Sequence, residues 1–273
     1  MSGAAAAATA LNASLPAGNA ADWLRRARPL LGTLVELGVL AATPDPAAAL
    51  AAGFDAITRL QQALSRFDDD SDLARFARLP AGASLLLRPA GARALRAAQA
   101  LRQASGGQFD ISLGSGPAGW RCQGARLHKL SDGVQLDLGG IAKGLAVDDA
   151  VRALRRAGCA AGWVNAGGDL RVFGGATLAL QLRDEQHGGV QTIGSLADGA
   201  FATSHYGAGS RSRLHGPASP ALPGAPRAAT APTHVSVAAP RCLWADALTK
   251  IVALSGDADH PLLARLGARA WLH

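Results

Sequence analysis

The segment Leu136–Asp148, LDLGGIAKGLAVD, sets two adjacent glycines between an apolar alternation and a helical period. The alternation predicts a strand at Val134–Leu138, and the spacing of Leu145, Val151 and Leu154 predicts a helix from Ile141 to Ala157. A second glycine pair lies in Asn165-Ala166-Gly167-Gly168-Asp169, between two further short strands. Strands that turn on glycine into helices and hairpins point to an α/β (α+β) chain.

The flanking sequence extends this pattern. Leu30–Leu40 alternates as a strand, with Val35, Leu37 and Val39 on one face. Pro44–Pro46 opens a helix whose apolar stripe is Leu50, Phe54, Ile57, Leu60, Leu64 and Phe67. Ser71 is placed to cap a short helix over Asp72–Ala77, and a further helix is expected over Ala92–Ser105. Thr177–Arg183 alternates as a strand, Val235 and Val237 mark another, and Cys242–Leu254 reads as a helix. Residues 207–233 are rich in Gly, Ala, Ser, Pro and Arg without a period, so a long mobile loop is expected there. Residues 1–27 read as a flexible Ala-rich leader and 28–273 as a single domain.

With 49% hydrophobic and 17% charged residues, 273 residues can bury a sizeable core, which excludes a disordered or fibrous chain. The net charge of +7 is carried by scattered arginines with no basic run interleaved with aromatics. This argues against a nucleic-acid partner, although a positive field still attracts an anionic dinucleotide. Cys122, Cys159 and Cys242 form no C-x-x-C pair, as suits a reducing compartment. The leader is a poor export signal, no cysteine follows it that could carry a lipid, and no run is long enough to span a bilayer. A cytoplasmic protein without membrane insertion is expected, with a periplasmic one the less favoured alternative.

Rare residues carry information in so Ala- and Arg-rich a chain. Its only lysines are Lys129, Lys143 and Lys250, and Asn165 is the only asparagine outside the leader. Lys143 lies one turn into the helix after Gly139 and Gly140, where a backbone open to close approach and helix-start N–H groups suit an anion. The spacing matches neither a Walker A loop nor G-x-G-x-x-G, and on spacing alone a plain turn with a solvated lysine is favoured. Asn165–Asp169 is by itself an ordinary hairpin turn, although Asp169 could hold a hydroxyl or an amino group. Asp246, Thr249 and Lys250 share one face of the last helix, as an oxygen-rich cation site or as an i,i+4 ion pair. Trp120 could stack on a ring ligand or fill the core. The histidines lack metal-ligand spacing, and there is no G-x-S-x-G elbow.

The order of the segments is more specific than any one of them. Leu31-Gly32-Thr33, LSRF at 64–67 with Ser71, GGQFD at 106–110, LDLGGIAKGLAVD, VNAGGDLRVFG, ATS at 202–204 and ADALTK at 245–250 together resemble the FAD:protein FMN transferases of the ApbE family, over roughly residues 28–256. That resemblance implies two intermixed lobes with mixed sheets and flanking helices, and FAD in the cleft between them. It further implies Mg²⁺ on the pyrophosphate and transfer of FMN to a Ser or Thr hydroxyl of an acceptor flavoprotein with release of AMP. The alternatives are hydrolysis of FAD to FMN and AMP, or a flavin-binding protein that has lost the transfer chemistry. By the same resemblance Ala142, Asp246 and Thr249 would hold the metal, and Gly139, Gly140 and Lys143 would lie by the phosphates. Asn165, Gly167, Gly168 and Asp169 would line the nucleotide cleft, with Gly32, Thr33, Asp110 and Trp120 around the rest of the FAD. Asp246, Lys250 and His215 are the expected catalytic residues.

The chain departs from the family pattern in three places. Leu31 stands where Met is usual. In the His-x-x-Asp-Pro-x-x-Gly motif, Arg213 replaces His and Gly216 replaces Asp, so that a proton transfer assisted there is either compromised or taken over by His215. In D-A-L-x-T the threonine usually follows Asp by four residues, whereas here Thr249 follows by three and Lys250 by four. Lys250 is therefore expected near the pyrophosphate, either replacing part of the metal's charge or weakening its site.

Overall fold

The computed structural model describes residues 22–183, 189–206 and 234–273. It opens with a hairpin in which β1 (Trp23–Leu30) runs antiparallel to β2 (Thr33–Leu40). A tight turn joins them on two left-handed residues, Leu31 at φ 55° and Gly32 at φ 71°, and the Leu31 N–H donates to Gln61 Oε1 at 2.7 Å. The strand expected over Leu30–Leu40 is thus the second arm of a hairpin, and residues 23–27, expected to belong to the leader, lie in β1. The sequence WLRRARPL has no apolar face to announce a strand; its backbone ladder to β2 holds it. Val35, Leu37 and Val39 are fully buried on the expected face.

Helix α1 (Pro46–Leu64) starts where Asp45 accepts the Ala48 N–H at 2.9 Å. Its stripe from Leu50 to Leu64 is buried, but the helix stops there and Phe67 is 93% exposed instead of continuing it. Ser71 caps α2 (Asp72–Ala77) as expected, accepting the Ala74 N–H. There follow β3 (Ser84–Leu86), α3 (Pro89–Ala104), β4 (Trp120–Gln123) and β5 (Arg126–Lys129), whose strands form a small sheet in the order β3-β5-β4.

Val134–Leu138 is not a strand. Val134, Leu136 and Leu138 are buried in alternation, yet the Asp137 N–H donates at 2.7 Å to a loop carbonyl, that of Ile111, and the segment joins no sheet. Beyond it lie α4 (Ala142–Arg156), β6 (Gly162–Ala166) and β7 (Asp169–Phe173). Next come β8 (Thr177–Arg183), β9 (Val190–Ala197), β10 (Ala200–His205) and β11 (His234–Ala239). The chain ends with α5 (Cys242–Ser255), α6 (Pro261–Arg265) and β12 (Arg269–Leu272).

The main sheet runs β1-β2-β6-β7-β10-β11-β12, and β8 pairs with β9. The expected α/β class with several sheets and flanking helices holds. Every pairing among the described strands is antiparallel, not mixed: β1-β2, β4-β5, β6-β7 and β8-β9 pair as chain neighbours, and β2-β6 and β3-β5 pair antiparallel across intervening helices. Strand alternation sends Val164 and Ala166 of β6 into the larger core, with α1, α4 and α5, and Trp163 into a smaller core with Leu170, Val172, Phe201 and Leu178. No described helix is long and apolar enough to cross a membrane. Residues 207–233, with Arg213, His215 and Gly216, lie outside the described residues.

Candidate functional site

The site is assembled where α4 meets α5, and a glycine makes the meeting close. A Cβ on Gly144 would stand 2.2 Å from the Cys242 carbonyl oxygen and 2.8 Å from Asp246 Cβ, so only glycine permits this approach. The Gly144 N–H donates to Asp246 Oδ2 at 3.0 Å across the contact. One turn further along α4, Asp148 accepts the Cys242 and Leu243 N–H groups at 3.0 and 3.1 Å and pairs with Arg171 at 2.6 Å. A carboxylate from α4 thus caps the start of α5 and fixes where Asp246 and Lys250 stand.

Two turns converge on this contact. Asp137 Oδ1 accepts the Gly139 N–H at 2.7 Å, shaping the turn before α4, while Asp137 Oδ2 receives Arg66 of the LSRF segment at 3.1 Å. Gly140 lies over the Lys250 stem, where an added Cβ would meet Lys250 Cε at 3.4 Å. The helix start is less open than the sequence implies. Ala142 N–H donates to Leu138 O and Gly144 N–H to Asp246, and only the Lys143 N–H of that turn has no partner among the described residues.

The second turn joins β6 to β7 through Gly167 (φ 63°) and Gly168 (φ 103°), closed by Asn165 Oδ1 accepting the Gly168 N–H at 2.9 Å. Thr33 packs against it, its hydroxyl 2.3 Å from where a Gly167 Cβ would lie, which brings the Gly32-Thr33 turn alongside. The turn presents Asp169, whose Oδ2 lies 2.6 Å from Lys143 Nζ.

The result is a cluster of two ammonium and two carboxylate groups. Lys250 Nζ donates to Asp246 Oδ1 at 2.5 Å, to the Asp246 carbonyl at 2.9 Å and to Ser204 Oγ at 3.2 Å. Thr249 Oγ1 donates to the Asp246 carbonyl at 2.7 Å and contacts Ser204 Oγ at 2.8 Å. Asp169, Asp246 and Thr249 are almost completely buried, whereas the Lys143 side chain is 35% exposed and is the cluster's opening to solvent. Burial alone would pull the Lys143 ammonium down, but Asp169 and Asp246 more than reverse this and hold it above the usual lysine range. Lys250 is raised in the same way, against burial, chiefly by Asp246. Burial would raise the Asp246 carboxyl, but Lys250 and Lys143 bring it below the usual range. At neutral pH these three groups are charged.

Gly32, Thr33, Gly139, Gly140, Lys143, Asn165, Gly167, Gly168, Asp169, Asp246, Thr249 and Lys250 are thus linked into one cluster by these contacts, with Ala142 at the first position of α4. Two expected residues do not join them. Trp120 is 3% exposed and packs in the larger core, so it offers no face for stacking. Asp110 accepts Ser112 N–H and Oγ at 3.0 and 2.5 Å, and its carboxylate closes its own turn. Ser204 was not singled out from the sequence, although it is the last residue of the ATS segment. Neither was Tyr206, the only tyrosine in the chain, whose hydroxyl lies 3.4 Å from Thr249 Oγ1.

The residues do not fit the magnesium site that the family pattern implies. Asp246 Oδ1 is occupied by the Lys250 ammonium and Oδ2 by the Gly144 N–H, while the Thr249 hydroxyl is committed to Asp246 and Ser204. Mg²⁺ binds oxygen at about 2.1 Å, so on Asp246 it would face the ammonium across the same oxygen. Among the described residues no three His, Cys, Asp or Glu side chains group as metal ligands.

The ApbE family model matches residues 31–129 and 116–271. The flavin transferase ApbE from Vibrio cholerae has a similar structure, with TM-score 0.76 and 17% identity, covering 92% of this chain and 93% of that one. An ApbE protein from Thermotoga maritima aligns with TM-score 0.74 and 21% identity, over 92% and 94%. The apo flavinyl transferase ApbE from Pseudomonas stutzeri aligns with TM-score 0.72 and 22% identity, over 91% and 89%. No curated protein sequence matches. With nearly all of its described residues inside the family match, this chain belongs to the ApbE family.

Proposed function

We propose that this protein transfers the FMN half of FAD to a Ser or Thr hydroxyl of an acceptor flavoprotein and releases AMP. The observation that carries the proposal is the convergence of the Gly139-Gly140 turn, the Gly167-Gly168 turn and the partly exposed Lys143 ammonium on one charged cluster, in a chain of the ApbE family. The Vibrio cholerae and Pseudomonas stutzeri proteins of similar fold are described as flavin transferases, which supports the same chemistry here.

In this reading the acceptor oxygen forms a bond to the phosphorus of the FMN half. The bond from that phosphorus to the bridging oxygen breaks, and the bridging oxygen leaves on AMP. The acceptor's hydroxyl proton passes to His215 and from there to solvent or to the departing phosphate. The protein positions the pyrophosphate and neutralises charge developing on its oxygens. Lys143 is suited to both, because Asp169 holds the ammonium at 2.6 Å while 35% of the side chain stays exposed to a ligand. Gly139 and Gly140 let the phosphates approach the backbone, and the Lys143 N–H adds a donor. Asn165 shapes the turn that carries Asp169. His215 would take the proton-transfer role left by Arg213 and Gly216. The three free, buried cysteines support a reducing compartment, the cytoplasm.

The test is incubation with FAD and a lysate containing candidate acceptors, followed by separation of nucleotides and a denaturing gel. AMP release with a flavin-fluorescent protein band is expected. FMN and AMP without any labelled protein would make the enzyme an FAD hydrolase, and FAD bound without turnover would make it a carrier.

A further inference from the structure

Lys250 stands in the place that matters most for a metal, and the charge count around it is informative. With Asp169 ionised against Lys143, as burial disfavours and the ammonium contact favours, the formal charges of the two lysines balance those of Asp169 and Asp246. A neutral side chain at position 250 would leave one carboxylate in excess in a site with almost no access to water, a charge that an incoming cation would have to answer. Lys250 answers it permanently. Its three N–H donors are all spent, on both oxygens that Asp246 offers it and on Ser204 Oγ, and its side chain is only 14% exposed. Asp246 has a backbone donor on its other oxygen, and the Gly140 backbone covers the lysine stem.

We propose that Lys250 is a built-in cation that takes the position of a divalent metal beside Asp246, so that this protein binds a dinucleotide pyrophosphate without a divalent metal. The division of labour follows from geometry. Lys250, with no donor left, neutralises Asp246 and closes it to metals, while the more exposed Lys143 retains donors for the phosphate oxygens. The inference rests on the flavin reading for the identity of the dinucleotide, but not for the exclusion of the metal.

Two measurements on the full chain test it separately. Titration of the ligand-free protein with Mn²⁺, followed by electron paramagnetic resonance, should show no saturable site in the wild type and one site in Lys250→Thr. A single Mn²⁺ site in the wild type that Asp246→Asn removes would overturn the proposal, whatever FAD does. Titration with FAD, followed by flavin fluorescence, should give wild-type dissociation constants within about twofold of each other in chelator and in excess Mg²⁺. Lys250→Thr should bind FAD about tenfold more weakly in chelator and recover with Mg²⁺. A wild-type affinity that rises about tenfold with Mg²⁺ would also overturn it. If the wild type bound no FAD under either condition, the flavin reading would fail, and the Mn²⁺ titration would still decide the question of the metal.

Discussion

Helix α4 carries two ionic groups into the interior, and they are satisfied in opposite ways. Asp148 is answered mainly by fixed partners: two backbone N–H groups of α5, Arg171 at 2.6 Å and, more loosely, Arg241 at 3.5 Å. Its environment is complete, and what it accomplishes is the placement of α5. Five residues earlier Lys143 is answered by one buried carboxylate, with a third of its side chain open to solvent. Asp169 Oδ2 makes no hydrogen bond among the described residues beyond that ionic contact. A buried charge closed off by backbone donors serves the fold, whereas one held by a single partner at an opening has capacity for a ligand. The contrast gives Asp148 and Asp169 different roles although both are almost fully buried aspartates.

Substitutions can break that contrast, and the largest effect is expected at Asp148. Asp148→Ala leaves Arg171 without its buried partner and α5 without its cap, a loss of about 3–5 kcal/mol, read from the urea midpoint. A loss below about 1 kcal/mol would put Asp148 among the exposed ion pairs and remove its structural role. Gly144→Ala pushes a methyl into the Cys242 carbonyl and should cost about 1–3 kcal/mol in the same measurement. Asp169→Asn should cost less than Asp148→Ala, about 1–2 kcal/mol, because Lys143 can turn to water when its partner loses charge. Its effect on FAD should be larger, with affinity or turnover reduced at least about tenfold. Arg66→Ala removes a half-exposed pair with Asp137 and should change stability by no more than about 1 kcal/mol.

Much of this was legible in the sequence, and the failures have physical causes. Apolar periodicity located α1, α4 and α5, and the glycine pairs located both turns of the site. Periodicity failed at β1, where arginines fill an edge strand held through its backbone. It misled at Val134–Leu138, where alternate burial is real but no neighbouring strand lies alongside to form a ladder. Phe67 fits the spacing of α1 but lies beyond the helix end at Leu64, and a three-residue period cannot register where a helix stops. The scarcity of lysine was a sound guide: Lys129 is buried with its ammonium on the Ala77 carbonyl, and Lys143 and Lys250 are both in the cluster. What spacing could not reveal is which oxygen each lysine would occupy. The family pattern made Asp246 a metal ligand, and only the approach of Lys250 to its Oδ1 shows a cation already there. Trp120 was ambiguous between ligand and core because an aromatic ring serves both, and its burial assigns it to the core.

The separation of a structural from a ligand-facing aspartate can be measured through the rise in Tm that FAD produces, since a ligand bound only to the folded state stabilises it in proportion to the logarithm of its affinity. FAD should raise the Tm of the wild type and of Asp148→Asn by the same increment, although the second starts lower, and should raise that of Asp169→Asn by a clearly smaller one. An Asp169→Asn protein stabilised by FAD as strongly as the wild type would contradict the assignment of this cluster as the flavin site.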